Sequence, residues 1–507
     1  MARRGSRREK QERSAGLAQM PFRPLKNPYS PIEILSQDQV EAIHHASLRI
    51  LKEIGMRVTD PDSRRRLKAI GCDVVESTEM VKFDPDLVIE LIKDLPSEYT
   101  ALARNRDKNM TVGGNNIIFS TVVGPSFVSD LDKGRRPGTY DELCDFIKVA
   151  HGLNIIHQDG GGGFEPMDLP PETRHMDMMY AQITLTDKGW QPCWLNSRSR
   201  AEDVIEMTCI ALGISREELS NTPTIAACVN TNSPLLLDSD LAEGLVVMAE
   251  AGQPVDITPF TMAGAMSPVP LAGTLAQQNA EVLAGFTLVQ AVRRGCPCVY
   301  GHFATNVDMK TGSPAFETPE YTKTTLASAQ MARFYGVPFR SSNTTASAVA
   351  DAQSAYESEM SIWGTVMGHT NLVLHAAGWL EGGLTASFEK LILDAEMLQL
   401  IASVLEPIEV NESTLAFEAV KEVGPGGHFF GAADTLERYE TAFYAPLVSD
   451  WRNFETWEED GSKTATERAN GIWKQLLADY EKPPIDQAIE EELQAYMAKR
   501  KEDISGA

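Results

Sequence analysis

Eight short β-rich runs punctuate the middle of the chain. They begin near Ile117, Asn154, Gln191, Thr224, Val255, Cys298, Pro338 and Asn371, at intervals of about 31 to 43 residues. Each interval is long enough for a strand, a loop and a returning helix, the alternation that parallel strands joined by right-handed crossovers produce. The segments between the runs carry helical periodicity. Met176, Met179, Tyr180 and Ile183 share one face of a helix predicted near 173–188. Val282, Phe286 and Val289 do the same near 274–294, where Arg293-Arg294-Gly295 supplies a stop. Ser387 to Val404 reads as a further long helix. Eight strand–helix units predict an α/β fold, a (β/α)8 TIM barrel over 113–404, because an open sheet has no reason to stop at that count.

The rhythm changes on both sides. Residues 1–30 are basic at their start and lack periodicity, which predicts a disordered tail. Ser36 is a plausible helix N-cap. Val40, Ile43, Ile50, Leu51 and Ile54 follow as an apolar stripe, and Gly55 ends it. Residues 31–112 then alternate short strands and helices, an expected N-terminal α/β cap. Residues 405–507 hold a glycine-rich loop, Gly424-Pro425-Gly426-Gly427-His428, and aromatic and acidic helices. They are expected to form a C-terminal helical extension packed on the barrel or on a sister subunit, which favours a homo-oligomer.

With 43% hydrophobic residues over 507 positions, a large core is affordable. The net charge of −25 argues against a nucleic-acid partner. No apolar run is long enough for a membrane span, and the basic N-terminus is not followed by the apolar stretch of a signal peptide. Seven cysteines are scattered without a CxxC pair, which predicts reduced thiols and a cytoplasmic protein.

Barrel chemistry sits where strands end. Those ends carry His157, Trp194, Phe260, Tyr300, His302, Asn343, His375, Trp379 and Glu381, a set rich in aromatics, amides and histidine and poor in lysine and arginine. Such a pocket suits a small neutral or cationic ligand, since aromatic faces attract quaternary ammonium groups. No dinucleotide fingerprint, phosphate loop, serine elbow or HExxH pair occurs. The residues alone leave open a metal bound by His302, His375 and carboxylates from separate strands, although no metal is the expectation. In Val373-Leu374-His375-Ala376-Ala377-Gly378, valine stands where a corrinoid-binding Asp-x-His-x-x-Gly needs aspartate.

Four longer motifs carry a family likeness. They are Asp351-Ala-Gln353-Ser-Ala-Tyr356-Glu357; Gly378-Trp379-Leu-Glu381 running on to Ser387-Phe-Glu389-Lys390 and Asp394-Ala-Glu396; Val423-Gly-Pro-Gly-Gly-His428; and Arg438 to Tyr444 followed by Leu447-Val-Ser-Asp450-Trp451. On these the chain resembles the trimethylamine methyltransferase family over nearly all its length from about residue 35. The resemblance implies a barrel that moves a methyl group from a methylated amine to the cobalt of a separate corrinoid protein, with no cofactor bound by this chain. Archaeal members carry pyrrolysine near the end of the seventh strand, whereas Phe339 to Thr345 are ordinary residues here. That departure implies a quaternary amine such as glycine betaine as donor. In this reading His375 and His302 bond a substrate carboxylate, while Trp194, Tyr300, Phe260 and Trp379 face the ammonium. Asp434 stands where many relatives have histidine, which puts a role for that loop in doubt. Direct methyl transfer to tetrahydrofolate, and a non-catalytic quaternary-amine sensor, are the alternatives.

Overall fold

A computed structural model describes residues 17–192 and 195–506. Its centre is a parallel sheet of eight strands: β1 (Asn116–Thr121), β2 (Gln158–Asp159), β3 (Gly189–Trp190), β4 (Ala227–Val229), β5 (Val255–Ile257), β6 (Cys298–Gly301), β7 (Phe339–Ser342) and β8 (Leu372–Ala377). All eight lie within a few residues of the runs the sequence predicts. Between them, and after β8, run α1 (Tyr140–Gly152), α2 (Arg174–Leu185), α3 (Arg198–Leu212), α4 (Ser239–Glu250), α5 (Leu271–Val292), α6 (Pro319–Tyr335), α7 (Ala352–Met367) and α8 (Phe388–Val404).

The spatial order is β3-β2-β1-β8-β7-β6-β5-β4. First and last strands are therefore neighbours at the centre, which a sheet of strand–helix repeats reaches by curling back on itself. Registers such as Leu372↔Ile118 for β8 against β1 and Gly301↔Arg340 for β6 against β7 fix which side chains share a face. Among the described residues no ladder joins β3 to β4, so the architecture established is a curled eight-strand half-barrel.

Local sequence sets the helix starts. Ser36 closes a capping box on Gln37–Arg49, and Gly55 ends the turn after it with φ +85°. Ser387 accepts from the Lys390 N–H at the start of α8, and Asp351 closes a capping box on α7. Strands Met56–Val58, Asp73–Val75 and Met80–Lys82 of the N-terminal region pair with one another, and Leu236–Leu237, from the β4–α4 connection, joins them. A hairpin of Glu98–Ala101 and Met110–Gly113 follows. Its Tyr99, Met110 and Val112 pack on Ile118, Val299 and Leu372, filling the N-terminal end of the sheet's inner face.

The stretch expected to be a disordered tail differs in its described part. Leu25–Lys26 pair antiparallel with Ile117 and Asn116 of β1, and Leu25 is buried. An apolar side chain on an edge-pairing segment explains the order. At the other end of the chain, Ala465–Ala478 packs on α8 and α1. Gln487–Ser505 packs on α3, where Arg500 and Tyr496 both bond Asp203. Among the described residues no helix is long and apolar enough to cross a membrane.

Candidate active site

A cavity of about 360 Å³ opens beyond the C-terminal ends of the strands. Four large aromatic side chains line it. Phe260 follows β5, Phe303 follows β6, Phe316 lies in the β6–α6 connection and Trp379 follows β8. The ring centroids of Phe260 and Phe303 are 5.3 Å apart, those of Phe303 and Phe316 5.5 Å, and those of Phe316 and Trp379 5.7 Å. Cys228, Asn230, Gln191 and Gly160 are also part of the wall. A side chain at Gly160 cannot be placed there, because its Cβ would lie 2.2 Å from the Thr121 carbonyl oxygen.

The end of β8 is shaped by a break in its own ladder. Register shifts between Val373 and Ala377, and His375 takes φ +54° inside that irregularity. In a regular strand Leu374 and His375 would face opposite sides. Here both line the cavity. A non-glycine residue in the left-handed region is strained and persists only where its surroundings impose it. The restraints are visible: the Val123 N–H donates to His375 Nδ1 at 3.3 Å, and the Gly378 N–H donates to Asp394 Oδ2 at 2.9 Å. With Nδ1 accepting, the proton of the neutral ring sits on Nε2. Burial, with the nearby Arg340 charge acting in the same direction, holds the His375 pKa well below its ordinary value. Trp379 packs 4.5 Å from the His375 ring and donates its indole N–H to the Thr345 carbonyl at 3.1 Å. Gly383 makes room for it; a Cβ there would stand 2.5 Å from the indole.

One charged side chain reaches this wall. Arg340 of β7 lies with its guanidinium carbon 5.4 Å from the centre of the Phe303 ring. Its Nη1 donates to the His302 carbonyl at 3.1 Å, and its Nε is 3.5 Å from Asp256 Oδ2 of β5. Asp256 Oδ1 accepts from the Thr258 hydroxyl at 2.7 Å. Neither Arg340 Nε nor Asp256 Oδ2 has a hydrogen-bond partner among the described residues, although both are buried. Burial pushes the Asp256 carboxyl up, against the pull of Arg340.

The sequence-predicted residues divide. Phe260, His375 and Trp379 line the cavity. His157 does not. It precedes β2, accepts the Phe119 N–H on Nδ1 at 2.9 Å and bonds the Arg23 carbonyl through Nε2, so backbone consumes both nitrogens. Tyr300 points outward between sheet and helices, its hydroxyl donating to Asn279 Oδ1 of α5. His302, two residues on and hence on the same face, bonds Thr324 and Thr325 of α6 and Ser341. It is therefore free neither for a carboxylate nor for a metal, and the described residues contain no group of three His, Cys, Asp or Glu placed to hold one. Asn343 ties β7 to β8 by donating to the Ala376 carbonyl. Glu381 forms an ion pair with Arg135 at 2.7 Å, and only its neighbours Gly382 and Gly383 reach the cavity. Trp194 lies outside the described residues. Arg340, Phe303, Phe316 and Cys228 were not anticipated as lining residues. Among the described residues, Arg340 is the one arginine of a wall otherwise without lysine or arginine. A charge inside a strand, after Phe339 in one case and between Val255 and Ile257 in the other, is the available signal.

A parallel α/β half-barrel with an aromatic-lined cavity at its strand ends is the framework of an enzyme that works on a small organic molecule. The chain belongs to the trimethylamine methyltransferase (MTTB) family, whose model matches residues 2–505. It is 36% identical to a glycine betaine methyltransferase of Desulfitobacterium hafniense, over 93% of this chain and 98% of that one. It is 28% identical to a trimethylamine methyltransferase of Methanosarcina mazei, over 94% and 96% respectively. Among solved structures, the monomethylamine methyltransferase of Methanosarcina barkeri is similar with TM-score 0.47 and 13% identity, over 87% of this chain and 92% of that one.

Proposed function

We propose that the chain transfers a methyl group from a quaternary amine of the glycine betaine class to the Co(I) of a separate corrinoid protein. The observation that carries this reading is the cluster of Phe260, Phe303, Phe316 and Trp379 around one cavity. Each well-placed aromatic face attracts an ammonium by about 0.5–2 kcal/mol, and a trimethylammonium group offers no N–H for any other kind of recognition. The glycine betaine methyltransferase of D. hafniense supports the substrate class.

The chemistry asks little of the protein in proton transfer. The nucleophile supplies the electron pair of the new bond to carbon, and the C–N pair leaves with nitrogen as a neutral tertiary amine. No general acid is needed. The protein's tasks are to hold the cation, exclude water and direct one methyl group outward. His375 Nε2–H and the Asn230 amide are polar groups of the wall available to orient the ligand.

On the same reading, the eight-strand sheet closes between β3 and β4 into a complete barrel. The six described cysteines are unpaired, as a cytoplasmic location leaves them. Phe417, Phe430, Phe443 and Trp451, which a single copy leaves largely exposed, are covered in a homo-oligomer.

The test combines purified chain, a reduced corrinoid partner and a panel of betaines, following conversion of Co(I) to methyl-Co(III) by absorbance. Methylation with at least one betaine is expected. No methylation with any of them, despite binding, favours a sensor. Transfer to tetrahydrofolate without corrinoid contradicts the proposed acceptor.

A further inference from the structure

We propose that Arg340 is the carboxylate anchor of the substrate site, so that the cavity selects zwitterions over simple quaternary ammonium ions. This rests on the quaternary-amine reading above and assigns the second half of the ligand.

Arg340 lies within β7, level with Gly301 of β6 and Leu372 of β8. The aromatic residues lie beyond the strand ends: Phe260 follows Ile257, Phe303 follows Gly301 and Trp379 follows Ala377. The cavity is thus cationic at its deep end and aromatic toward its mouth. A molecule with a carboxylate at one end and a trimethylammonium at the other has one favourable orientation there, carboxylate inward and methyl groups outward. That is also the orientation in which a methyl group can be given to an external acceptor.

The bonding of Arg340 points the same way. Buried ion pairs offset their desolvation only when the geometry is good and the remaining donors and acceptors are satisfied. The pair with Asp256 fails on both counts. Its closest approach is 3.5 Å, and Arg340 Nε and Asp256 Oδ2 both lack hydrogen bonds among the described residues. Nε turns to Asp256, and of the two outer nitrogens of the fork only Nη1 has a hydrogen bond among the described residues, to the His302 carbonyl, which leaves Nη2 for a ligand at the cavity wall. The guanidinium fork matches a carboxylate in shape and charge. Asp256 and the His302 carbonyl hold it from behind. Gly301 is forced to be small by the same packing, since a Cβ there would fall 2.6 Å from Asp256 Oδ1 and closer still to the Thr258 hydroxyl. These contacts replace the carboxylate role first expected of His302, whose ring is turned toward α6.

The experiment is calorimetric titration of the full chain with three ligands. Glycine betaine carries both ends. Choline keeps the trimethylammonium and has a hydroxymethyl group in place of the carboxylate. 3,3-Dimethylbutyrate keeps the carboxylate and has carbon in place of nitrogen. Wild type should prefer glycine betaine over choline by about 10- to 100-fold, the range of a charge-assisted bond. In Arg340→Met that preference should collapse: glycine betaine weakens by the same factor, 3,3-dimethylbutyrate binding is lost, and choline changes by less than about threefold. Arg340→Lys, which keeps the charge and loses the fork, should fall between. A wild type that binds both quaternary amines without preferring glycine betaine overturns the anchor and leaves the quaternary-amine reading standing. So does equal weakening of glycine betaine and choline in the variants. A wild type that binds neither overturns that reading and the anchor together. Where Arg340→Met does not fold, the wild-type comparison still overturns the anchor if no preference is found, and Arg340→Lys ties a preference to this side chain.

Discussion

The ends of β6 and β8 look alike as sequence and do opposite things. Tyr300-Gly301-His302-Phe303 and Leu374-His375 each offer a histidine next to large apolar side chains at the close of an apolar strand. On β6 the pleat is regular. Tyr300 and His302 both face the helices, and only Phe303, past the strand, turns into the cavity. On β8 the ladder breaks, and His375 takes a left-handed backbone that brings its ring inward beside Leu374. Residue type at a strand end therefore does not decide a role; the phase of the pleat does, and a single irregularity reverses it.

The contrast can be broken experimentally. The largest effect is expected from His302→Ala, which empties a buried site and takes the ring nitrogen away from the hydroxyls of Ser341 and Thr325. Unfolding in urea should show a loss of about 2–4 kcal/mol, while glycine betaine affinity of the folded protein changes less than twofold. A large loss of affinity at unchanged stability would place His302 in the cavity after all. Trp379→Leu should do the reverse in emphasis. Affinity for glycine betaine should fall by about 10- to 30-fold, the worth of one good aromatic face, measured by calorimetry; unchanged affinity removes Trp379 from the ligand wall. Gly383→Ala is smaller again. It puts a methyl group against the Trp379 indole at φ +93°, and about 1–2 kcal/mol of stability should be lost with a few-fold drop in affinity. Loss of stability with no change in affinity would separate the indole's packing from ligand binding.

The same contrast can be sharpened with pH. Burial holds His157 and His302 down to about 3. Between that value and 6.5 the unfolded chain binds protons that the folded chain does not. Stability is therefore full above about pH 6.5 and falls as pH drops toward 3, by roughly 1 kcal/mol per histidine for each unit. The urea midpoint should decline from pH 7 to pH 5.5, and a flat profile contradicts neutral, buried His157 and His302. Ligand affinity should stay within twofold from pH 6 to 8.5, because His375 is neutral throughout and burial pushes the Cys228 thiol up to about 12. A titration near pH 7 would mean that His375 is more solvated than its burial indicates.

Much of the framework was legible because it depends on local rules. Eight strands stand near their expected places, α8 starts at its Ser387 cap, and the first long helix runs from Ser36 to Gly55. Periodicity and caps act over a few residues and can be read from them. The site was legible in part. Phe260, His375 and Trp379 reach the cavity, but Tyr300 and His302 were assigned without their phase, and a run begun at Asn154 placed His157 at a strand end when the strand starts after it. Arg340 was passed over because its significance depends on Asp256 from another strand and Phe303 from a third. Contacts of that kind come from the curl of the sheet, which no local pattern contains.

The proposed function requires that aromatic side chains enclose the methyl groups of a quaternary amine. Saturation-transfer NMR tests it directly on wild-type protein with glycine betaine. Irradiating aromatic protons should pass saturation to the N-methyl resonance more strongly than to the methylene, and Trp379→Leu should reduce it. Binding without saturation of the N-methyl resonance would contradict the claim.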